Sequence, residues 1–386
     1  MLILGIESSC DETSCAVAEM SDGERRLLSC AIDSQIETHA RYGGVVPEIA
    51  SRAHAEAICP VVTSAVKDSG ISLSEIDAVA VTCTPGLIGS LLVGVSYAKA
   101  LAFSLGVPLV PVNHIKAHVA AAYFPYPELE PPFTAVVASG SHTSIYSVTG
   151  YSSFEEIGTS RDDAAGEAFD KVGRVIGLSY PCGREMDELA AKAGDIERIK
   201  FPSPALRGDT FDFSFSGLKT AVINHVHNLR QRLGIGDGPL PEEERVRIAA
   251  SFTDTVTEAI AEKVSAALAE YPSDKIVLAG GVAANSHLRK RLEKLCASLG
   301  ASFFVPEIGL CGDNAAMVRA SSINPAFTIT VGLCVSGALC ALSGGLLAQY
   351  QKSCDINVGT GMVTIALASL IIGETLVGKR TMLRRI

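Results

Sequence analysis

The chain has 386 residues, enough for two or three domains at about 150 residues each. Its 32 Lys and Arg against 42 Asp and Glu give a formal charge of −10, which argues against an overall basic nucleic-acid coat and leaves room for a local basic site. Eleven irregularly spaced cysteines, behind an apolar start without a charged region or cleavage site, read as reduced thiols and exclude secreted, disordered and fibrous classes.

In chain order, residues 2–7 predict an apolar strand and 15–19 a second, with the polar turn 8–14 between them. Residues 76–82 and 107–112 predict further strands on either side of a helical stretch, 88–105. Residues 134–138 and 144–149 predict another strand pair around Ser139-Gly140-Ser141-His142-Thr143. Helices follow at about 164–175, 217–233, 245–269 and 286–299. Hairpins mixed with crossover helices predict α/β architecture with sheets covered by helices.

LGIESSCDETSCAVAE and AVVASGSHTSIYSVTG share one pattern: an apolar strand, a polar turn of small residues with a Thr-Ser pair, and a second strand. A recurrence about 130 residues apart suggests two related lobes. Facing turns rich in backbone N–H groups and hydroxyls suit a phosphate. A third turn, from Ala279 through Gly280, Gly281, Val282, Ala283 and Ala284 to Asn285, follows a strand and opens a helix, where an anion is well placed. Together these predict a bilobal nucleotide binder of the actin/hexokinase type.

His114 and His118, in His114-Ile115-Lys116-Ala117-His118, fall four apart and share one helix face, so both imidazoles can reach one cation. Ile115 and Lys116 stand where zinc peptidases carry a glutamate, so a water-activating base is missing. Asp313 is the candidate third ligand, and two His with one carboxylate suit iron(II) or zinc. Asp162 and Asp163 read as a solvated helix start, with Glu167 and Asp170 deeper and able to meet a ligand. The stretch 212–220 reads equally as a ligand loop or as a strand edge with a Ser216 cap. Asp11 and Glu12, in the first turn, are a candidate cation site or base.

GIESSCDET, YGGVVPEIASRAH, TPGLIGSLLVG, VPVNHIKAH, DDAAGEAFDK, DFSFSGLKT, LAGGVAAN and GDNAAM occur in an order that resembles the TsaD family of tRNA threonylcarbamoyladenosine transferases, over roughly residues 1–320. The resemblance implies an actin/Hsp70-like (ASKHA) fold of two lobes, 1–130 and 131–322. It implies transfer of a threonylcarbamoyl group from threonylcarbamoyl-AMP to the adenosine beside the anticodon of tRNAs reading ANN codons. On its motifs, His114, His118 and Asp313 match the metal ligands, usually for iron(II), one ion per subunit. Val137, Ala138, Ser139, Gly140, Ser141, Asp170, Gly183, Asp187 and Asn285 match substrate contacts, and Asp11 and Glu12 match the catalytic acids. It further implies a cytoplasmic enzyme working with TsaB and TsaE. Ser141 and Gly312 depart from the family pattern, where a glycine and a Thr or Ser are usual.

Residues 323–386 resemble instead an ABC transporter permease, through INPAFTITVGLCVSGALCALSGGLLAQYQ and DINVGTGMVTIALASLIIGE. Its uncharged runs and the cluster Lys379, Arg380, Arg384, Arg385 predict an apolar helical tail with membrane association. The competing functions are an inactive chimera of transferase and permease fragment, a metal-dependent peptidase resting on the His pair, a small-molecule kinase sharing the fold, and a membrane transport component resting only on the tail. For tRNA, Arg289-Lys290-Arg291 is the candidate local basic patch on an acidic body.

Overall fold

The structure is a computed structural model that describes residues 1–21, 24–208 and 210–307. A run as apolar as Leu2–Glu7 (β1) needs cover on both faces, and it is buried from Ile3 onward. Its antiparallel neighbour is Glu12–Ser21 (β2), beyond which lies Glu24–Ser34 (β3). On its other side Ala78–Thr84 (β4) runs parallel, and Leu109–Asn113 (β5) completes the order β3-β2-β1-β4-β5. After the short helix Ile36–Ala40 (α1) come Pro47–Ser69 (α2) and Ile88–Leu105 (α3). The stripe Ala57, Ile58, Val61, Val62, Ala65 on α2 is buried at helical spacing. Gly70, at φ 75°, ends that helix in the left-handed region. His114–Ala120 (α4) follows β5 directly.

The second half repeats the plan. Phe133–Ala138 (β6) pairs antiparallel with Thr143–Gly150 (β7), which pairs with Ser153–Thr159 (β8). Lys275–Ala279 (β9) joins β6 in parallel and Ser302–Phe304 (β10) joins β9, giving β10-β9-β6-β7-β8. Read from the outer hairpin strand, the two orders are the same, so the sequence repeat marks two copies of one sheet topology. Helices Ala165–Val175 (α5), Gly183–Ala191 (α6), Phe215–Leu233 (α7), Glu242–Glu270 (α8) and Ser286–Leu299 (α9) accompany this sheet. Their core includes Phe169 edge-on to Phe252 at 5.0 Å, with Met186, Leu218 and Val264 fully buried.

The anticipated strand pairs and helices are present, with β2 beginning at Glu12 rather than Cys15 and α7 at Phe215. Of the elements that went unanticipated, three have a plain physical reason. In β3 only Ser29 is buried, so an edge strand shows little apolar alternation. The helix α2 carries Pro60 in its interior, a residue that ordinarily argues for a break. The helix α6 is short, with only Met186, Leu189 and Ala190 buried. Among the described residues one helix, α3, is long and apolar enough to cross a membrane by length and composition. The apolar tail 323–386 lies outside the described residues.

Candidate active site

Asn113 ends β5 and caps α4, its Oδ1 accepting the amides of Ile115 and Lys116 at 2.9 and 3.1 Å. This cap starts the helix at His114 and fixes the phase of both imidazoles. His114 and His118 are buried, with ring centroids 4.6 Å apart and planes at 75°. Glu7, at the end of β1, directs Oε2 to His114 Nδ1 at 3.0 Å. The same oxygen accepts from Thr82 Oγ1 at 2.6 Å, and Oε1 accepts the Ser9 amide at 2.5 Å. Burial raises the cost of charge on Glu7, yet the His114 ring and the bonds from Thr82 and Ser9 hold its carboxyl below the usual carboxylate range. A carboxylate on Nδ1 leaves Nε2 as the nitrogen able to ligate a cation.

Two buried imidazoles on one helix face, one braced by a carboxylate, fit a metal ion that takes nitrogen ligands. Among the described residues no group of three His, Cys, Asp or Glu side chains gathers to hold an ion. The expected third ligand, Asp313, and the neighbouring Gly312 lie outside the described residues. Glu7 was not anticipated. The signal was an acid closing an otherwise apolar strand, which is costly to bury unless something pairs with it.

Asp11 and Glu12 lie on the tip of the β1–β2 hairpin, the same turn as Ser9, whose Oγ stands 3.3 Å from His114 Nδ1. Both are partly exposed; Glu12 Oε1 accepts from Ser34 Oγ at 2.9 Å and the Asp11 carbonyl accepts the Gln35 amide. Buried His54 braces this tip from α2, with Nδ1 2.7 Å from Thr13 Oγ1 and Nε2 3.0 Å from the Cys10 carbonyl.

The β6–β7 tip is built differently. Val137, Ala138 and Ser139 are buried, while Gly140 and Ser141 are exposed. Ser139 Oγ accepts the amides of Ser141 and His142 at 3.4 and 3.1 Å, closing the turn on itself. Gly166 donates its amide to the Ser139 carbonyl at 3.1 Å, and a Cβ there would fall 2.5 Å from that oxygen. Gly280, at φ 91°, approaches so closely that a Cβ would sit 2.4 Å from the Ala138 carbonyl oxygen. The starts of α5 and of the turn after β9 therefore converge on this hairpin tip.

The remaining expected substrate contacts belong to the same half. Asp170 Oδ1 accepts the Cys182 amide at 2.7 Å, which joins α5 to the start of α6 at Gly183. Burial pushes the Asp170 carboxyl up; the Cys182 and Gly183 amides oppose this and Glu167 adds to it. Asp187 binds the start of α9, and Asn285 caps that helix through Oδ1 to the Leu288 amide at 2.9 Å. Contacts that cross between the halves include Lys116 Nζ to the Ser152 carbonyl at 2.9 Å and Arg174 Nη1 to the Gly43 carbonyl at 2.7 Å.

Other expected roles change in the structure. Asp162 is exposed, but it precedes α5 and serves another helix: Oδ1 accepts the Phe215 and Ser216 amides at 2.8 and 3.2 Å, and Oδ2 accepts from Ser214 Oγ, so it caps α7 from across the fold. Ser216 therefore is not the cap. Asp163 lies between Lys171 Nζ, at 2.9 Å, and Lys219 Nζ, at 2.5 Å. In the basic triplet Arg289 binds the Ala283 and Pro306 carbonyls and Arg291 faces Glu258 at 3.7 Å. In the stretch 212–220, Asp212 pairs with Arg161 and accepts the Thr159 amide at 2.8 Å, a structural brace.

The family model of TsaD, tRNA N6-adenosine threonylcarbamoyltransferase, matches residues 26–320. A tRNA N6-adenosine threonylcarbamoyltransferase of Caldicellulosiruptor bescii is 50% identical over 319 residues, covering 82% of this chain and 91% of that relative. One of Clostridium botulinum (strain 657 / Type Ba4) is 48% identical over 320 residues, covering 83% and 91%. Among solved structures, full-length HypF in the phosphate- and nucleotide-bound form is similar at a TM-score of 0.54 and 16% identity, over 83% of this chain and 46% of that one. At that identity the likeness is one of fold, the two-lobed actin/Hsp70-like architecture.

Proposed function

The chain belongs to the TsaD family, the tRNA N6-adenosine threonylcarbamoyltransferases, and from that premise we propose that it moves a threonylcarbamoyl group from threonylcarbamoyl-AMP to the exocyclic amine of the adenosine beside the anticodon in tRNAs reading ANN codons. The observation that carries the reading is the Glu7–His114–His118 assembly, an oriented imidazole pair on the half of the fold that also bears Asp11 and Glu12. The glycine-lined turn 139–141 supports a cradle for the adenylate, with Asp170, Gly183, Asp187 and Asn285 as its further contacts.

In this scheme the adenosine amine attacks the carbamoyl carbon, the bond from that carbon to the phosphate oxygen breaks, and AMP leaves with its electron pair. The amine loses one proton, which Asp11 or Glu12 accepts from the hairpin tip. Iron(II), or zinc, held by His114 and His118 with Asp313, would supply Lewis acidity at the donor. The exposed turn residues Gly140 and Ser141 would meet the donor and fix its orientation, which lowers the entropic barrier to attack.

A peptidase fits less well. The carboxylate bonded to His114 is Glu7, and it is engaged by His114 Nδ1, Thr82 and the Ser9 amide rather than poised over a water. The proposed setting is the cytoplasm with TsaB and TsaE as partners; the exposed apolar residues Ile88, Leu92 and Phe103 on α3 support a protein-facing surface.

The test is a transfer reaction with the full chain, iron(II), threonylcarbamoyl-AMP, unmodified ANN-reading tRNA, TsaB and TsaE, read by mass spectrometry of the digested nucleosides. The reading expects threonylcarbamoyladenosine. No product, beside an active transferase control, would overturn it in favour of an inactive chimera.

A further inference from the structure

The carboxylate of Asp187 crosses from α6 to the first turn of α9. Each of its oxygens lies 3.1 Å from the Ser286 amide, and Oδ1 also lies 2.8 Å from His287 Nδ1. Burial raises the cost of charge on Asp187, but the His287 bond and the Ser286 amide hold its carboxyl below the usual range. The two side chains keep 24% and 19% of their surface exposed, so the pair forms part of a wall that a ligand can reach. Oδ1 thus takes two bonds and Oδ2 shares the Ser286 amide; with the Ser286 hydroxyl also on the carboxylate, its roughly four lone-pair sites still leave Oδ2 room for a further donor.

We propose that His287 is a positioning residue for substrate binding: its Nδ1–H fixes the rotamer of Asp187 so that Oδ2 is presented to a hydrogen-bond donor of the nucleotide substrate. This rests on the reading of Asp187 as a substrate contact in the transferase. A carboxylate that swings freely must be ordered as it binds, whereas one already clamped by an amide and an imidazole is ordered beforehand. The neighbouring cap by Asn285 holds the α9 start itself, so the imidazole's separate contribution is orientation of Asp187.

The experiment compares wild type, His287→Phe, His287→Asn and Asp187→Ala as full chains. It measures transfer kinetics in threonylcarbamoyl-AMP and AMP affinity by calorimetry. Phenylalanine keeps the ring and loses the donor; asparagine restores an N–H at the position of Nδ1. His287→Phe is expected to raise KM for the donor and Kd for AMP about five- to tenfold, with kcat within about twofold of wild type. His287→Asn is expected to recover both constants to within about twofold, which a packing role for the ring would not produce.

The proposal is overturned if His287→Phe leaves KM and Kd unchanged while Asp187→Ala raises them, or if His287→Asn is no better than His287→Phe. Should Asp187→Ala also leave both constants unchanged with transfer intact, the assignment of Asp187 to substrate falls and takes the role of His287 with it. If wild type yields no product, the transferase reading fails separately, and AMP affinity across the four proteins still decides the proposal.

Discussion

The two hairpin tips occupy equivalent places in duplicated sheets and have been turned to different tasks. The β1–β2 tip works through side chains: Glu7 and Ser9 reach His114 across the sheet, and His54 braces the turn from behind. The β6–β7 tip works through backbone: Ser139 closes its own turn, and Gly166 and Gly280 press against its carbonyls where no Cβ fits. One topology thus yields a buried imidazole pair in one copy and a self-closed backbone turn in the other. Glycines press on both tips, since a Cβ at Gly86 would fall 2.6 Å from the Ser9 carbonyl oxygen, so the difference lies in the carboxylate–imidazole network that only the first tip carries.

The largest expected effect breaks the side-chain half. Glu7→Ala strips partners from His114, Thr82 and the Ser9 amide at once, and breaking a buried pair of this kind costs about 3–5 kcal/mol. Urea unfolding checks the stability, and metal analysis should show an accompanying loss of bound metal of about 10–100-fold in affinity. A cost below that of a surface substitution would mean the network is not a network.

The backbone half should break at glycine. Gly280→Ala forces a residue with a side chain into φ 91° against the Ala138 carbonyl, for a loss of about 1–3 kcal/mol from conformation alone. Gly140→Ala meets open space and should stay within about 0.5 kcal/mol. Equal effects at the two positions by thermal melting would contradict the cradle geometry. Next in size, Asp162→Ala removes the cross-fold cap of α7 and should cost about 0.5–2 kcal/mol by the same measurement, with Asp162→Asn recovering most of it.

The pH dependence is the smallest effect and again separates the halves. Burial pushes His54 below the usual histidine range, so the folded chain holds it neutral while the unfolded chain takes up a proton. Stability should fall as pH drops below about 6.5, and His54→Gln should flatten that slope. For Asp163 burial works against the charge, yet Lys219 and Lys171 hold the carboxyl low. Its contribution is present above the unfolded value near 3.8 and is lost as pH falls through the folded one. Asp163→Asn should remove that acid-limb loss, leaving the His54 slope untouched in pH-titrated urea melts.

What could be read from the sequence was local and periodic. The strand–turn–strand repeat, the glycine turn after β9 and the i,i+4 histidines each carry their geometry in their spacing, and each is where the spacing put it. What could not be read depends on partners far along the chain. Glu7 meets His114 across 107 positions, Asp162 caps a helix more than 50 residues on, and Arg289 reaches the Pro306 carbonyl 17 positions away. An exposed-looking acid or base acquires its role only when the fold supplies its neighbour. The same reason hid α2, whose internal proline is tolerated because tertiary burial outweighs a local preference.

The measurement that tests the central claim most directly is single-turnover transfer onto ANN-reading tRNA by the wild-type chain and His114→Ala, loaded with iron(II) and supplied with threonylcarbamoyl-AMP, TsaB and TsaE. The account predicts threonylcarbamoyladenosine from wild type and a loss of at least about a hundredfold in rate from the variant, with a folded melting transition in both. Equal rates from the two proteins would contradict it, because the imidazole platform braced by Glu7 would then have no part in the chemistry.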